Sequence, residues 1–536
     1  MSELLLGDEA VGLAAIDAGI SGMFSYPGTP ATEIFEFVEA RTRSGSTVAA
    51  KWSANEKVAY EEAMGMSYAG RRALVSMKHV GLNVAADPFM SSALTGAHGG
   101  LVLAVADDPG MHSSQNEQDS RLYGDFAQIP IFEPSNQQEA YDMTREAFEM
   151  SERFQLPVMI RLVTRMAHSR AQVQTSAPSE PRELDCSQDW HVWTLLPPNA
   201  RRQFRRLLDL QPKLKEYSEQ SSFNSLELKG SKGIIASGIG YNYVREVIGG
   251  ESQYSLLKIC AYPAPAGLVR NLVNHCSEVL VIEEGYPYIE DQINGLLGVP
   301  GKAIRGKRNG AVQADGELSV ERVRAALGLR SMEAFPPVED LPARPPRLCD
   351  GCPHCDTFKA IIEATAGLPG AILFSDIGCY TLGALPPYNA VSSCVDMGAS
   401  ISMSLGAAKA GAHPVLCTIG DSTFTHSGMT GLIGAAHEDA NMTVLILDNS
   451  TIAMTGGQEI LATGEQLLQI IKALGVKEDH LHVIRPMAKD HEKNVGLIRK
   501  EIAHKGLSVI VACRPCIQTT RKQVAEAAAK KKAMAH

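Results

Sequence analysis

Short apolar runs alternate with helical stretches rich in small residues along most of the chain. In the first 170 residues the runs at 73–77 and 100–106 are the clearest, and two more follow at 233–236 and 278–282. Strands that alternate with helices in this rhythm are typical of parallel sheets covered by helices. The pattern therefore predicts an α/β fold with mainly parallel sheets.

The same rhythm continues in the last third of the chain. Its predicted strands lie at 371–375, 415–419, 443–447 and 508–511. A helical segment rich in alanine and lysine follows, and its charges predict that it is solvated.

Two segments interrupt the rhythm and predict domain boundaries. Between 177 and about 225 the sequence turns to proline and charge, with four arginines at Arg201, Arg202, Arg205 and Arg206. The second segment is rich in residues that neither continue a helix nor donate to a sheet ladder, namely Pro336, Pro337, Pro342, Pro345 and Pro346. The predicted domains are 1–180, 181–340 and 341–520, with a tail at 521–536.

Composition narrows the class of protein. The formal net charge of −10 over 536 residues argues against a nucleic-acid binder, because phosphate contacts need a basic face. The sequence has no apolar run long enough for a membrane span and its start lacks the features of a signal peptide, so we expect a cytoplasmic protein. Thiols stay reduced there, which favours core residues, metal ligands or redox groups over disulfides for the eleven cysteines.

Two apolar runs of the last third end at polar side chains beside turns. Asp421 follows the run in VLCTIGDSTFTHSGM, and Asn449 follows the run in TVLILDNSTIAMTGGQ. In open α/β sheets, ligands bind at the carboxyl ends of the strands. The two side-chain oxygens, with a backbone carbonyl near Thr451, would give three ligands to Mg²⁺, which phosphate oxygens and water complete.

The turn at Gly420 leads into a helix predicted at 427–436, and a helix N-terminus can accept a diphosphate. A Gly-Asp dipeptide alone has a plainer interpretation, because it also caps ordinary helices. The second strand, its asparagine and the Gly456-Gly457 turn favour the ligand site.

This pairing resembles the thiamine diphosphate motif, which begins with Gly-Asp-Gly and closes further along at Asn. Ser422 takes the third position here, as in the GDSTF variant of the indolepyruvate ferredoxin oxidoreductase family. The chain resembles the large subunit of that family in further blocks, in the family's order: YPGTPATEIFE, KWSANEKVAYEEAMGMSYAGRRAL, MKHVGLNVAADP, ADDPGMHSSQNEQDSR, LCDGCPHCDTF, SDIGCYTLGALPP and LDNSTIAMTGGQ.

The resemblance implies a pyrimidine-binding domain, a transketolase C-terminal-like domain and a diphosphate-binding domain. It also implies thiamine diphosphate and Mg²⁺ as cofactors. The cofactor-binding positions that it implies are Asp376, Gly378, Cys379, Gly420, Asp421, Ser422 and Asn449, with Asp421, Asn449 and Thr451 as the Mg²⁺ ligands.

Thiamine chemistry needs a carboxylate that hydrogen-bonds the aminopyrimidine ring and promotes proton loss from the thiazolium carbon. The candidates in WSANEKVAYEEAMG are Glu56, Glu61 and Glu62, and Glu56 matches the family. The plainer interpretation is that Glu56 only stabilises a helix N-terminus, worth about 0.3 to 1 kcal/mol at an exposed site.

The resemblance also implies how a 2-oxo acid would be held. Thr29, in the Tyr-Pro-Gly-Thr-Pro turn, matches a substrate-contacting threonine of the wider family. Arg121 is a candidate clamp for the substrate carboxylate, because a guanidinium binds carboxylates bidentately; a surface ion pair is the alternative. Three histidines are further candidates for proton transfer without an assigned role, namely His79, His112 and His426.

Eight of the eleven cysteines lie between Cys349 and Cys516. Wider-family members hold a [4Fe-4S] cluster near the thiamine with cysteines at matching positions, and such a cluster takes four thiolates. The resemblance therefore implies Cys349, Cys352, Cys379 and Cys516 as ligands, with Cys513 as the substitute for Cys516.

A structural zinc site is the competing interpretation. It would use the local motif, with Cys349, Cys352, Cys355 and either His354 or a distant cysteine, but it gives no reason for a cysteine at position 379. Cys355 stands where relatives commonly have arginine, and its role stays open.

The predicted function is that of a subunit of a thiamine-dependent 2-oxo acid oxidoreductase acting on an arylpyruvate. Coenzyme A would take the acyl group, and a smaller subunit would complete the enzyme, expected as a dimer of heterodimers. Relatives usually end in a ferredoxin-like domain with two C-x-x-C-x-x-C-x-x-x-C-P runs. None occurs here, so a separate acceptor, ferredoxin or another, is expected. The alternatives are a non-oxidative decarboxylase or carboligase and a catalytically silent structural subunit.

Overall fold

The apolar runs form buried strands in the computed structural model of the chain. All eight predicted strands are present, with ends displaced by at most two residues. The described residues are 2–43, 47–186, 190–331, 341 and 346–533, and four prolines of the predicted second boundary, Pro336, Pro337, Pro342 and Pro345, lie outside them. The predicted α/β class with mainly parallel sheets is confirmed.

The chain divides into two units, Met1–Pro336 and Pro337–His536. The strands of the first unit are β1 (Ser2–Leu6), β2 (Gly22–Ser25), β3 (Ala49–Trp52), β4 (Ala73–Lys78), β5 (Leu101–Asp107), β6 (Ile131–Phe132), β7 (Val158–Val163), β8 (Arg170–Gln174), β9 (Ser225–Glu227), β10 (Lys232–Ser237), β11 (Tyr254–Ile259), β12 (Ala261–Tyr262), β13 (Glu278–Ile282) and β14 (Ala303–Arg305). Its helices are α1 (Gly7–Asp17), α2 (Thr32–Thr42), α3 (Glu56–Tyr68), α4 (His79–Val84), α5 (Ala86–Thr95), α6 (Arg121–Ala127), α7 (Gln137–Phe154), α8 (Thr164–His168), α9 (Trp190–Trp193), α10 (Pro197–Gln220), α11 (Gly238–Ile248), α12 (Ala266–His275), α13 (Tyr288–Asn294) and α14 (Val320–Ala326).

Two large sheets organise the first unit. The seven-stranded sheet has the order β12-β6-β7-β5-β4-β2-β3 and is parallel except at β12, whereas the five-stranded sheet has the order β14-β13-β10-β11-β9 and is parallel except at β9. Strands β1 and β8 form a separate antiparallel pair. Because β12 comes from the segment predicted as the middle domain, the first two predicted domains share this unit, and their boundary stays a prediction.

The loosened segment after residue 177 contains a long helix that the sequence pattern did not predict. Helix α10 runs from Pro197 to Gln220 and buries Leu207 and Leu214. Their spacing places them on one face of a helix, but the surrounding charges hide that period. Arg206 donates to the carbonyl oxygens of Phe154 and Gln155. One arginine of the arginine-rich stretch therefore anchors α10 to the end of α7.

The second unit is built on one six-stranded parallel sheet with the order β16-β15-β17-β18-β20-β19. Its strands are β15 (Ile372–Ser375), β16 (Ser393–Cys394), β17 (Val415–Gly420), β18 (Met442–Asp448), β19 (Leu481–Ile484) and β20 (Leu507–Cys513). Its α-helices are α15 (Pro353–Thr365), α16 (Ala399–Lys409), α17 (Asp421–Thr423), α18 (Met429–His437), α19 (Gly464–Ala473), α20 (His491–Ala503) and α21 (Ile517–Ala533). Short 3₁₀ turns lie at Cys379–Ala384, Ala453–Thr455, Glu478–His480 and Ala488–Asp490.

The helix predicted at 427–436 begins earlier and is not uniform. Helix α17 starts directly at Asp421, a π-helical turn covers Phe424–Gly428, and α18 continues to His437. Single π turns of this kind occur often at functional sites. Within the described residues, no helix is long and apolar enough to cross a membrane.

Candidate active site

Asp421 and Asn449 lie at the same edge of the six-stranded sheet. Strands β17 and β18 are parallel neighbours, with Gly420 opposite Leu447, so the residue that follows each strand comes to the carboxyl edge. The side chain of Asp421 is buried and accepts backbone hydrogen bonds from Ser422 at 2.8 Å, Asn449 at 3.1 Å and Ser450 at 2.8 Å. The structure thus brings together the two ends of the predicted motif.

The third expected ligand position is beside them. Oδ1 of Asn449 accepts a hydrogen bond from the backbone of Thr451 at 3.1 Å, and the hydroxyl of Thr451 donates to the carbonyl oxygen of Gln458 at 3.1 Å. Carboxylate, amide and carbonyl oxygens are the donors that hard divalent cations prefer. The donor set at Asp421, Asn449 and Thr451 therefore fits Mg²⁺.

Asp448 is a buried acidic residue of this edge that the sequence analysis missed. Its carboxylate accepts hydrogen bonds from the hydroxyl of Thr463 at 2.7 Å and from the backbone of Gly464 at 2.8 Å. Burial, and then the charge of Asp448, raise the pKa of Asp421 to about 8. Its place directly before Asn449 in LDNS was the available signal.

Asp376 and two glycines shape the neighbouring strand end. Asp376 follows β15, is fully buried and accepts hydrogen bonds from the backbone and hydroxyl of Ser400; burial raises its pKa to about 7. A Cβ on Gly378 would lie 2.3 Å, and one on Gly420 2.8 Å, from the ring of Tyr380. Both positions require glycine because this buried ring, which the sequence analysis did not single out, packs against them.

Four cysteines from three segments line one cavity of the second unit. Cys349, Cys352, Cys379 and Cys516 share a cavity of about 80 Å³, which Asn449 also borders. Burial raises the pKa of the Cys352 thiol to about 12 and that of the Cys379 thiol to about 11, and neighbouring cysteines add to both shifts. The predicted set thus meets beside a predicted Mg²⁺ ligand.

Cys513, the substitute ligand, and Cys355, whose role was left open, are placed differently. Cys513 lies 3.5 Å from Oδ2 of Asp448 and lines another cavity with Arg485 and Arg514. Sγ of Cys355 lies 3.9 Å from the carbonyl oxygen of Cys349 and is not among the residues that line the cavity of the four cysteines. Within the described chain, the residues of the zinc interpretation do not converge closely enough for one ion.

Glu56 is the buried member of the three candidate glutamates. It begins helix α3, is 6% exposed, and follows Asn55, whose side chain caps the helix by accepting from Val58. A Cβ on Gly81 would lie 2.6 Å from Oε1 of Glu56, so the glycine leaves room for this carboxylate.

The other two glutamates of that helix form ion pairs near the surface. Glu61 pairs with Lys57, and Glu62 pairs with Lys51 at 2.8 Å. These contacts account for both side chains, and the catalytic role of Glu56 stays a prediction.

Thr29 lies in a half-buried turn beside a buried lysine. Its carbonyl oxygen faces the hydroxyl of Ser113 at 3.3 Å, and Nζ of Lys78 donates to the carbonyl oxygen of Ser113 at 2.7 Å. Burial lowers the pKa of Lys78 to about 8, although Asp108 opposes the shift. Lys78, which the sequence analysis did not single out within MKHVG, is therefore a buried cation near the predicted substrate threonine.

Arg121 does not lie where a substrate carboxylate would reach it. Its side chain is 0% exposed and pairs with Asp119 and, at 3.1 Å, with Glu283. It also donates to the carbonyl oxygens of Glu284 at 2.9 Å and Tyr286 at 3.2 Å. These contacts contradict the predicted carboxylate clamp, because the guanidinium is enclosed by acidic residues of its own unit.

The three candidate histidines have local contacts. His79 lies 3.2 Å from the carbonyl oxygen of Asn116, and His426, within the π turn, lies 2.6 Å from the hydroxyl of Ser427. His112 is 3.6 Å from Glu317. None of these contacts assigns a role in proton transfer.

Comparisons with known proteins match both ends of the chain. Residues 13–189 match the family described as pyruvate flavodoxin/ferredoxin oxidoreductase, thiamine diphosphate-binding, and residues 376–512 match the thiamine pyrophosphate enzyme, C-terminal TPP-binding domain. The indolepyruvate oxidoreductase subunit IorA of Archaeoglobus fulgidus is 39% identical over 96% of this chain and 86% of its own. The chain belongs to the IorA family.

Other IorA subunits support the same assignment. Those of Methanothermobacter thermautotrophicus and Pyrococcus abyssi are each 37% identical over 96% of this chain, and 86% and 85% of their own lengths are covered. The chain is therefore a subunit of a thiamine-diphosphate-dependent 2-oxo acid oxidoreductase. The predicted family, fold class and enzyme class are confirmed.

Proposed function

We propose that this chain is the catalytic subunit for oxidative decarboxylation of an arylpyruvate such as indolepyruvate. The 2-oxo acid and the thiol of coenzyme A would give an acyl thioester, CO₂, one proton and two electrons. The observation that carries the proposal is the cavity in which Cys349, Cys352, Cys379 and Cys516 meet beside Asn449.

The cofactor positions follow from the carboxyl edge of the six-stranded sheet. Asp421, Asn449 and the carbonyl of Thr451 would hold Mg²⁺, and the start of the helix at Asp421 would face the diphosphate. When bound, thiamine diphosphate supplies a carbon nucleophile that stabilises the electron pair left by loss of CO₂. Glu56 would hydrogen-bond the aminopyrimidine ring, and burial keeps that carboxylate away from competing water.

The electron path would begin at the four cysteines. Four thiolates bound to a [4Fe-4S] cluster each bind a different iron, so they lie further apart than the ligands of a single ion. The proposal of a cluster rather than a single ion is supported by two facts: all four cysteines line the same cavity, and within the described residues they do not form a group tight enough for one ion. Ferredoxin or another carrier would take the electrons one at a time.

The substrate would be held in the first unit by Thr29 and Lys78. The hydroxyl of Ser113 donates to the carbonyl oxygen of Thr29, and Lys78 donates to the carbonyl oxygen of the same serine. An ammonium in a buried site is a strong partner for a carboxylate. We therefore assign Lys78 the role that the sequence analysis gave to Arg121. A smaller subunit would complete the enzyme as a dimer of heterodimers.

The test is made on the anaerobically purified complex. We expect about four iron and four sulfide per chain, and reduction of a ferredoxin or viologen acceptor that requires both an arylpyruvate and coenzyme A. Cys352→Ser should lose iron and acceptor reduction together. Cys355→Ser is the matched control, because Cys355 does not line the cavity, and it should keep both.

Two other results would overturn parts of the proposal. Consumption of arylpyruvate with neither coenzyme A nor an acceptor would indicate a non-oxidative decarboxylase or carboligase. Full activity of the complex with Glu56→Ala and with Asp421→Ala would indicate a catalytically silent subunit.

A further inference from the structure

Asp8, Glu33 and His168 form a cluster of polar side chains in the first unit, outside the residues assigned to the reaction. Asp8 is at the start of α1, Glu33 is at the start of α2, and His168 ends α8. One ligand atom of each lies within 4.8 Å of the others. Nε2 of His168 is 3.5 Å from Oε2 of Glu33.

Asp8 is the side chain that indicates a missing ligand. It is 0% exposed, and neither of its carboxylate oxygens has a hydrogen-bond partner. Oε2 of Glu33 has only the contact with His168 at 3.5 Å. A buried polar atom without a partner costs about 1 to 3 kcal/mol, and more when the group is charged. Burial, followed by the charges of Glu33 and Glu9, raises the pKa of Asp8 well above its usual value. A cation bound here would give the carboxylate oxygens of Asp8 a partner and would offset the cost of burying their charge.

The backbone is shaped to bring these residues together. A Cβ on Gly7 would lie 2.2 Å from the carbonyl oxygen of Met166. Only glycine therefore lets the start of α1 approach α8 so closely, and this approach places Asp8 near His168. Because the side chain of His168 is 34% exposed, an ion has a route to the site from solvent.

We propose that Asp8, Glu33 and His168 bind a divalent transition-metal ion, of which Zn²⁺ fits the donors best. Mg²⁺ and Ca²⁺ take oxygen ligands, whereas imidazole suits Zn²⁺. Three protein ligands and one open position form a common zinc arrangement. The ion would tie α1 and α8 to α2, the helix that follows the turn containing Thr29.

Zinc binding is measured by equilibrium dialysis of the chelator-treated complex against Zn²⁺. Excess Mg²⁺ is present to keep zinc from the predicted Mg²⁺ site. We expect the wild type to bind one equivalent that is at least about tenfold weaker in His168→Gln and in Asp8→Asn, beyond any zinc that all the proteins share, because even outer-shell changes cost about 10- to 100-fold. Zinc bound by cysteines would persist in every variant, so the difference between variants is the readout. Glu39→Gln, a change on α2 at a glutamate paired with Arg43, should keep the equivalent.

Melting temperature gives a second readout that is independent of enzyme activity. Zn²⁺ should raise the melting temperature of the wild type and of Glu39→Gln, and should not raise that of His168→Gln, because binding to the folded state adds stability. Without zinc, Asp8→Asn should melt no lower than the wild type, since it removes a carboxyl group whose charged form burial disfavours. Equal zinc content in the wild type and both ligand variants, or none in any, would overturn the site whatever the outcome for the proposed function.

Discussion

Two groups of buried carboxylates in this chain are balanced in different ways. In the first unit, the side chains of Arg121 and Arg161 are 0% exposed and pair with Asp119, Glu133 and Asp107. In the second unit, Asp421 and Asp448 are buried near each other. Their partners are backbone N–H groups, hydroxyls and, for Asp448, the thiol of Cys513. Within the described part of the chain, neither forms an ion pair.

The pKa values of Asp119 and Asp421 follow this difference, whereas burial raises the pKa of Asp107 even beside Arg161. Burial alone would raise the pKa of Asp119, but Arg121 and Arg161 hold it at about 2. Burial and Asp448 instead raise the pKa of Asp421 to about 8. A buried charge that the chain itself balances contributes to the fold, whereas one that it leaves unbalanced indicates a position for a ligand.

The difference between the two groups of carboxylates is tested most directly at Asp421. Asp421→Asn should weaken binding of Mg²⁺ and thiamine diphosphate by at least about 100-fold, because it removes a ligand where even outer-shell changes cost about 10- to 100-fold. Arylpyruvate oxidation should fall with it. Without cofactor, the variant should melt at or above the wild-type temperature, since one of two buried acids is gone. Calorimetric titration and thermal melting check the two expectations.

Asp439→Asn is the control for that change. Asp439 is an exposed residue of the same unit and pairs with Lys477, so its replacement should leave cofactor affinity unchanged. A large drop in melting temperature of cofactor-free Asp421→Asn would show that Asp421 is a structural residue like Asp119.

Where the buried charges are paired, we expect a substitution to lower the stability of the fold rather than to leave it unchanged or raise it. Arg121→Met should lower the free energy of unfolding by about 3 to 5 kcal/mol, because it leaves buried carboxylates without their cation. Arg165→Met is the matched control. Its partner is Glu317, its own side chain is 51% exposed, and surface pairs contribute about 0 to 1 kcal/mol. Urea unfolding measures both, and equal losses would contradict the comparison.

The sheet of the second unit and its cofactor edge were largely predictable from the sequence. The periodicity gave β17 and β18 within one residue at each end, and the polar residue after each strand located the cofactor edge. Strand ends in a parallel sheet are fixed by local pattern, so a few side chains could be placed without knowing the rest of the fold.

Long-range pairing was what the sequence did not reveal. Arg121 looked like a substrate clamp in SRLYG, and only the fold shows that Glu283, far along the chain, encloses it. The buried state of Lys78 depends in the same way on Ser113, to which it donates. Charges of opposite sign are too common in a sequence for such partners to be identified by spacing.

Glu56 extends the comparison, because it is a buried carboxylate of the first unit for which we propose a role on the cofactor. Gly81→Ala would place a methyl group 2.6 Å from its Oε1 and displace it. Because acid–base groups contribute about 10²- to 10⁴-fold, we expect a fall in kcat of about tenfold or more, with little change in cofactor affinity. Gly65→Ala, on the same helix with nothing within 4 Å, is the control; if both variants matched the wild type, Glu56 would not act on the cofactor.

Lys78 gives the smallest test, and it is the cationic counterpart of Asp421. Its pKa of about 8 lies below the usual value of about 10.4, so the folded state disfavours the charged form. This cost to stability is present below pH 8 and disappears as the pH rises past the unfolded value. Above pH 8 the ammonium is lost, and KM for the arylpyruvate should rise by about tenfold per pH unit.

Lys78→Arg separates this charge from other titrations. Arginine stays protonated across the range, so KM in this variant should not follow the rise above pH 8, even if its absolute value is higher. Initial rates between pH 6 and 10, with the melting temperature followed in parallel, distinguish the two proteins. If KM rises with the same slope in both, the titrating group is not Lys78, and the lysine is another charge that the chain has buried for its own fold.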